Sequence, residues 1–133
     1  MITVIKKYDY SDLTEKIIAA SFEIHRILGP GFSERIYINS LKDLFQEQSI
    51  IYEAEKEFVV KFRDKIVGKF RVDFLVESKV IVEIKSVNGV LPKIFESQVV
   101  SYLKASGLKV GLLINFGNKS CEVRRLMLNK RLR

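Results

Sequence analysis

Apolar positions in the first third of the chain recur every three or four residues, a spacing that predicts two amphipathic helices. The first stripe comprises Leu13, Ile17, Ile18, Ser21, Ile24 and Leu28. Asp12 and Glu15 form the pattern of a capping box at its start, and the segment 29–31 (GPG) ends it. Ser33 is the expected cap of the second helix, whose inner stripe is Ile36, Tyr37, Leu41, Leu44 and Phe45.

Beyond Gln48 the pattern changes to short runs of β-branched and aromatic residues, which predict strands. The expected strands cover 58–63, 68–76, 79–84, 110–116 and roughly 121–128, with turns at 64–65 and 77–79. A third helix is expected over 93–106, and Gly107 ends it at a C′ position. The predicted order is α-α-β-β-β-α-β-β, which indicates a single α/β domain spanning residues 1–133.

Composition narrows the classes of protein. The chain has 133 residues, 47% hydrophobic and 29% charged, as in a soluble globular domain. Its longest apolar stretch, 110–116, is far shorter than the ~20 residues of a membrane span. The lone Cys121 is expected to be a buried or half-buried side chain, and one cysteine favours a reducing cytoplasm.

The net charge of +7 is concentrated near the C-terminus, where residues 117–133 carry +5. A concentrated positive end suits nucleic acid, but a solvated basic terminus explains the charge equally well.

The second hairpin brings acidic residues together. If Val76 pairs with Val80 across the turn at 77–79, Asp73 lies opposite Glu83, with Cβ atoms ~4.5–5.5 Å apart. Alternation supports this register, because the even positions are apolar: Phe70, Val72, Phe74, Val80, Val82 and Ile84. These predict one core face. The opposite face carries Arg71, Asp73, Glu83 and Lys85.

Two adjacent carboxylates repel each other unless a cation lies between them. Carboxylates suit Mg²⁺ or Mn²⁺, and the carbonyl of Ile84 could be a further ligand. Lys85 could orient an attacking water and stabilise a transition state during phosphodiester hydrolysis. The same residues are also typical of an exposed cross-strand charge network, and Arg71 could bind phosphate or pair with Asp73 or Glu83.

Several segments together resemble a known family. Asp73 followed by Glu83-Ile84-Lys85 resembles the core of the PD-(D/E)XK nuclease superfamily, with Val72 in place of the proline. The segment 31–37 (GFSERIY) resembles the motif of its bacterial and archaeal GxxExxY family. Segments 25–31 (HRILGPG), 97–107 (SQVVSYLKASG) and 110–117 (VGLLINFG) fit the same family. The resemblance covers about residues 14–117.

The resemblance implies a restriction-endonuclease-like fold, in which a mixed sheet is flanked by helices. It also implies that Asp73 and Glu83 are metal ligands, that Lys85 is catalytic and that Glu34 adds a helix-borne carboxylate to the metal site. Gln98 and Tyr102 match a QxxxY pattern and share one helix face. A half-buried aromatic and a solvated glutamine are the alternatives for these two.

Two residues near the motif are expected to be structural. His25, the only histidine in the sequence, is expected to be packed or hydrogen-bonded. Tyr37 is expected to pack beside Glu34.

The function expected on these grounds is metal-dependent nucleic-acid cleavage with Mg²⁺ or Mn²⁺, on DNA more than on RNA. The expected nucleic-acid contacts are Arg71, Arg124, Arg125, Lys130 and Arg131. The alternatives are a binding module on the same fold that does not cut, acting with a partner, and an interaction protein with a charged surface. A homodimer would suit cleavage of two strands, although no residue indicates one.

Overall fold

A computed structural model describes residues 10–128 of the chain. The helices are α1 (Ser11–Leu28), α2 (Glu34–Glu47) and α3 (Ile94–Ser106). The strands are β1 (Tyr52–Phe62), β2 (Lys65–Val76), β3 (Val80–Lys85), β4 (Val110–Asn115) and β5 (Glu122–Met127). Their order along the chain is the predicted one. Within these residues, no helix has the length and apolar character to cross a membrane.

The five strands form one mixed sheet in the order β1-β2-β3-β4-β5. β3 and β4 are parallel and joined through α3, whereas the other neighbours are antiparallel. A parallel pair needs a long crossover, which the helix supplies. The predicted mixed sheet flanked by helices is therefore confirmed.

Helices cover both faces of the sheet. The large core lies between the sheet and helices α1 and α2, where Tyr37, Phe45, Phe74 and Phe116 are fully buried. Two smaller apolar clusters lie beneath α3. The end of α3 is as predicted, because Gly107 takes the left-handed conformation (φ 78°) that a C′ glycine supplies without strain.

Of the two predicted hairpin turns, one lies where the sequence placed it and the other is shifted by one residue. Val76 pairs with Val80, so the turn at 77–79 and its register are confirmed. The first turn is centred on Arg63 and Asp64, one residue earlier than predicted. Both residues have positive φ, 51° and 68°, as a two-residue type I′ turn requires.

Some element starts also differ from the predictions. β1 begins at Tyr52 instead of 58. The prediction missed residues 52–57 because half-buried residues alternate there with exposed charged ones, without the apolar run that signals a strand. Tyr10 occupies the N-cap position of α1 without a side-chain cap, so Asp12 lies in the first turn and the predicted capping box is wrong. Ser33 is at the predicted N-cap position of α2, although its side chain makes no capping bond.

The alternation of β2 is interrupted at Asp73. Phe74 belongs to the core beneath α1 and α2, but Val72, two positions earlier, packs against Ile81 beneath α3. The prediction of one core face for all even positions is therefore wrong. Across the sheet, at the level of Asp73, Glu55 of β1 takes a left-handed φ of 53° between the pairs 54↔74 and 56↔72.

Candidate metal centre

The ladder between β2 and β3 ends at the pair Phe74↔Val82, and side chains take over its hydrogen bonds. The Ile84 N–H donates to Oδ2 of Asp73 at 2.8 Å. The Asp73 N–H donates to Oε1 of Glu83 at 3.3 Å. The two acidic residues thus lie close together, as their spacing predicted. They meet in the gap beyond the last β2–β3 pair instead of within a continuous ladder.

Burial makes this pair of carboxylates hard to ionise together. Glu83 is only 7% exposed, and burial together with the charge of Asp73 raises its pKa to about 8. Burial also raises the pKa of Asp73, although the Ile84 N–H and the charge of Lys85 oppose the change. A cation between the two carboxylates would remove this penalty.

The backbone of Ile84 supplies a third oxygen to the same gap. The N–H and C=O of one strand residue point toward the same neighbouring strand. Since the Ile84 N–H points to Asp73, its carbonyl also faces the gap, where pairing with β2 has already ended at Val82. Two carboxylates and a carbonyl are a donor set that fits Mg²⁺, which is commonly held by one or two carboxylates and keeps several waters.

Lys85 extends from the same face of β3 as Glu83, two positions along the strand. Its ammonium lies 4.2 Å from the ring centroid of Phe95 on α3. Its charge lowers the pKa values of Glu83 and Asp73, so it acts electrostatically on both acidic groups. The three residues of the superfamily core are thus brought together.

Tyr102 of α3 is placed beside the acidic pair. Its pKa is raised by burial and then by the charges of Glu83 and Asp73. Its ring stacks on that of Phe70, with centroids 4.2 Å apart and an angle of 4° between the planes. Gln98, one turn earlier on α3, is exposed to solvent.

The structure does not bring Glu34 to the acidic pair. Glu34 is exposed at the first position of α2, and residues 10–128 contain no group of three or more His, Cys, Asp or Glu side chains that could hold a metal. Its neighbour Arg35 interacts with Asp73 instead and lowers the pKa of that carboxyl. Sequence reasoning missed Arg35, because the motif singles out only the glutamate beside it.

Tyr37 secures the turn before α2. Its buried hydroxyl donates to the Gly29 carbonyl at 2.6 Å and accepts the Phe32 N–H at 3.2 Å. Its ring stacks on Phe116 at 4.4 Å. Tyr37 therefore has a structural role, which fixes the start of α2 against Phe116, the residue after β4.

His25 and Cys121 have the structural environments expected of them. Nε2 of the buried His25 lies 2.8 Å from the Asn118 carbonyl oxygen. Cys121 is half-buried, and burial raises the pKa of its thiol to about 12. A thiol with so high a pKa is a poor nucleophile at neutral pH.

The predicted nucleic-acid contact Arg71 is exposed and forms an ion pair with Glu55 of β1 at 3.7 Å. The alternative partners Asp73 and Glu83 are therefore replaced by Glu55. Because an exposed ion pair of this length is weak, Arg71 can still exchange Glu55 for a phosphate.

The basic residues of β5 are partly occupied by other contacts. Arg124 pairs with Glu96 at 3.7 Å and Glu122 at 3.6 Å. The half-buried Arg125 donates to Oγ1 of Thr14 at 2.7 Å. This contact between β5 and α1 gives Arg125 a structural role, and its contact with nucleic acid stays a prediction. Two further predicted contacts lie outside the described residues: Lys130 and Arg131.

Comparison with known proteins places these features in a family. The profile of the PD-(D/E)XK nuclease superfamily matches residues 11–126. The chain belongs to this superfamily. No curated protein is similar enough in sequence to count as a relative.

Two solved structures share the fold of this chain. The protein SSO0001 is 20% identical with a TM-score of 0.57, over 89% of this chain and 58% of that one. The alkaline exonuclease LHK-Exo from Laribacter hongkongensis is 11% identical with a TM-score of 0.54, over 96% of this chain and 74% of that one. This chain therefore corresponds to little more than half of SSO0001.

Members of the PD-(D/E)XK superfamily generally depend on a divalent metal ion. The donor set found here, two buried carboxylates and a strand carbonyl at a break in the ladder, fits that requirement.

Proposed function

We propose that this protein is a nuclease that hydrolyses phosphodiester bonds with Mg²⁺ or Mn²⁺ held by Asp73, Glu83 and the Ile84 carbonyl. The observation that carries the proposal is the buried carboxylate pair, which meets where the β2–β3 ladder ends and lies beside a lysine. The alternative, an exposed charge network, does not account for the burial of Glu83 or for the rise of its pKa to about 8, of which burial is the main cause.

A bound divalent ion would supply positive charge to polarise the scissile phosphate and make water more acidic. The chain's own residues would do the rest. Asp73 and Glu83 would hold their carboxylates at fixed positions, because each accepts a backbone N–H. This preorganisation avoids reorienting the ligands during the reaction.

Lys85 would orient the attacking water and stabilise the charge that develops on the phosphate. Its contact with the Phe95 ring restricts an otherwise flexible side chain. Its place two residues after Glu83 directs the ammonium to the face that carries the carboxylates.

Residues around the centre would assist at longer range. Tyr102 would offer its hydroxyl to substrate phosphate, and the exposed Gln98 would contact the same strand one turn away. Glu34, which is exposed at the first position of α2, would act through water.

We further propose that the chain is of the GxxExxY type, on the evidence of its segment 31–37, and that DNA is cut in preference to RNA. The basic charge of the chain supports a polyanionic substrate. The second candidate is a nucleic-acid-binding module that does not cut. Cytoplasmic location and a homodimer stay predictions, which fractionation and light scattering would test.

Plasmid nicking in Mn²⁺ or Mg²⁺ tests the nuclease proposal. We expect Lys85→Ala to reduce the rate at least ~100-fold, the usual scale for loss of a positioned acid–base or charged group. The matched control is Lys109→Ala, an exposed lysine preceding β4 at the other end of the sheet. EDTA should abolish cleavage by both the wild type and the control.

Parallel reactions on RNA and on single-stranded DNA would define the substrate. Salt-sensitive DNA retention that is indifferent to metal and to Lys85→Ala would instead favour the binding module. Equal rates in Lys85→Ala and the wild type would refute the assigned role of the lysine.

A further inference from the structure

The outer half of the β1–β2 hairpin, residues 59–69, extends from the sheet without a core of its own. This segment is called the hairpin arm below. Phe62, Ile66 and Val67 are 62%, 65% and 62% exposed. Single exposed apolar residues are common, but three large ones at one hairpin tip are not. Phe62 pairs with Lys65 and Ile66 pairs with Lys61, so the tip exposes apolar side chains on both of its faces.

Positive charge surrounds this apolar tip. The hairpin arm carries four basic residues, Lys61, Arg63, Lys65 and Lys69, and one acidic residue, Asp64. The guanidinium of Arg63 lies 5.2 Å from the Phe62 ring centroid. A partner must therefore offer both negative charge and apolar surface. A second copy of the arm offers the apolar surface but repels the charge.

A groove of about 590 Å³ separates the hairpin arm from α3. Its lining residues are Val59, Val60, Lys61, Ser101, Lys104 and Ala105. The two lysines belong to different elements, β1 and α3, and two valines of β1 share the lining with them. A chain with regularly spaced negative charges and flat apolar groups would match this lining.

The groove adjoins the candidate metal centre on the α3 face of the sheet. Phe58, at the base of the hairpin arm, stacks on Phe70 with centroids 5.3 Å apart. Phe70 in turn stacks on Tyr102, whose pKa is affected by Glu83 and Asp73. A row of stacked rings therefore connects the base of the arm to the acidic pair.

We propose that the hairpin arm binds nucleic acid with unpaired bases, with bases against the apolar tip and phosphates on the lysines of the groove. The inference rests on the proposed function and names the form of its substrate. A continuous duplex hides its base faces within the stack, whereas a single strand or a frayed end exposes them. Stacking of one base on an aromatic side chain contributes ~1–3 kcal/mol.

Fluorescence anisotropy in EDTA tests this inference without turnover. The probes are a labelled 30-nucleotide single strand and the corresponding blunt duplex. For Phe62→Ala/Ile66→Ala we expect the affinity for the single strand to fall ~10-fold or more, and the affinity for duplex to change less. The matched control is Ile27→Ala, which removes an apolar side chain of equal exposure, 65%, from α1.

The charge contribution is tested separately with Lys61→Ala/Lys104→Ala. Losing two phosphate contacts should reduce the slope of log K against log salt by ~1.4 on a single strand. The side chains substituted in these variants are all exposed. Circular dichroism and urea midpoints should show that the variants remain folded.

The inference is overturned if the wild type binds neither probe, or if the tip variant binds the single strand as tightly as the wild type. It is also overturned if light scattering shows that the tip variant loses a dimer while binding is unchanged, because the arm would then be a self-association surface. Arm-dependent binding in a protein that never cleaves would refute the nuclease proposal alone. Cleavage that is indifferent to the arm variants, with unchanged binding, would refute the arm inference alone.

Discussion

Replacing Glu83 by glutamine should stabilise the metal-free protein at neutral and alkaline pH. The glutamine keeps an oxygen that can accept the Asp73 N–H, but it removes the buried charge. In the wild type, the pKa of Glu83 rises from 4.5 to about 8, first because of burial and then because of Asp73.

The sign follows from proton binding. Between pH 4.5 and about 8, the folded state holds a proton that the unfolded state has released, so stability falls as pH rises. A tenfold difference in proton affinity corresponds to ~1.4 kcal/mol, which limits the total effect to ~5 kcal/mol. Between pH 5 and 8, the free energy of unfolding of the wild type should fall by ~3–4 kcal/mol relative to Glu83→Gln.

Urea unfolding at pH 5, 6, 7 and 8 in EDTA measures this difference. Glu47→Gln, which removes an exposed carboxylate at the end of α2, is the matched control and should follow the wild type. Added Mg²⁺ should restore much of the stability that the wild type loses at pH 8, because the ion favours both ionised carboxylates. It should do less for Glu83→Gln, which has lost a ligand. Parallel pH profiles for the wild type and Glu83→Gln would refute the buried-pair argument.

Three further substitutions separate chemistry from packing. Asp73→Asn should weaken Mg²⁺ binding in calorimetry. It should keep or raise the metal-free melting temperature, because the repulsion between Asp73 and Glu83 is relieved. A clear loss of stability would instead show that Asp73 is a structural ion-pair partner. Tyr102→Phe keeps the ring and should slow cleavage ~10-fold or more at unchanged stability; an unchanged rate would leave Tyr102 a packing role. Tyr37→Phe leaves the Gly29 carbonyl without its buried donor and should cost ~1–2 kcal/mol in urea unfolding. The loss should exceed that of the control Tyr52→Phe, a half-buried tyrosine whose hydroxyl only accepts a solvent-exposed bond from Gln46; equal losses would contradict the anchoring role.

The fold could be predicted where local signals were strong. The three-residue turn at 77–79 and the apolar positions beside it were enough to pair Val76 with Val80, and the pairing set the register. The break at Asp73 was not predictable from the hairpin alone, and the irregular residue at its level, Glu55 with a left-handed backbone, lies on another strand. A glutamate carries no sequence signal for positive φ, which it adopts only when tertiary structure imposes it.

The candidate site divides in a similar way. Asp73, Glu83 and Lys85 could be placed together from the register that the turn at 77–79 sets and from the alternation of β3, which are local relations. The relation of α2 to the sheet depends on packing over a long sequence separation, and here the motif suggested Glu34 where the structure brings Arg35 toward Asp73. The contact of Arg125 with Thr14 was missed for the same reason, since net charge along the sequence cannot show where a side chain reaches.

The break in the ladder and the fit to a metal ion have one structural origin. The N–H groups of Ile84 and Asp73 donate to the carboxylates of Asp73 and Glu83, respectively. The Ile84 carbonyl faces the same gap without a ladder partner, since pairing ends at Val82. A cation can satisfy that carbonyl and both carboxylates at once, which no single hydrogen-bond donor could do. The end of the β2–β3 pairing thus leaves three oxygen ligands that a divalent ion would bind. A substitution that restored the strand pairing should abolish metal binding.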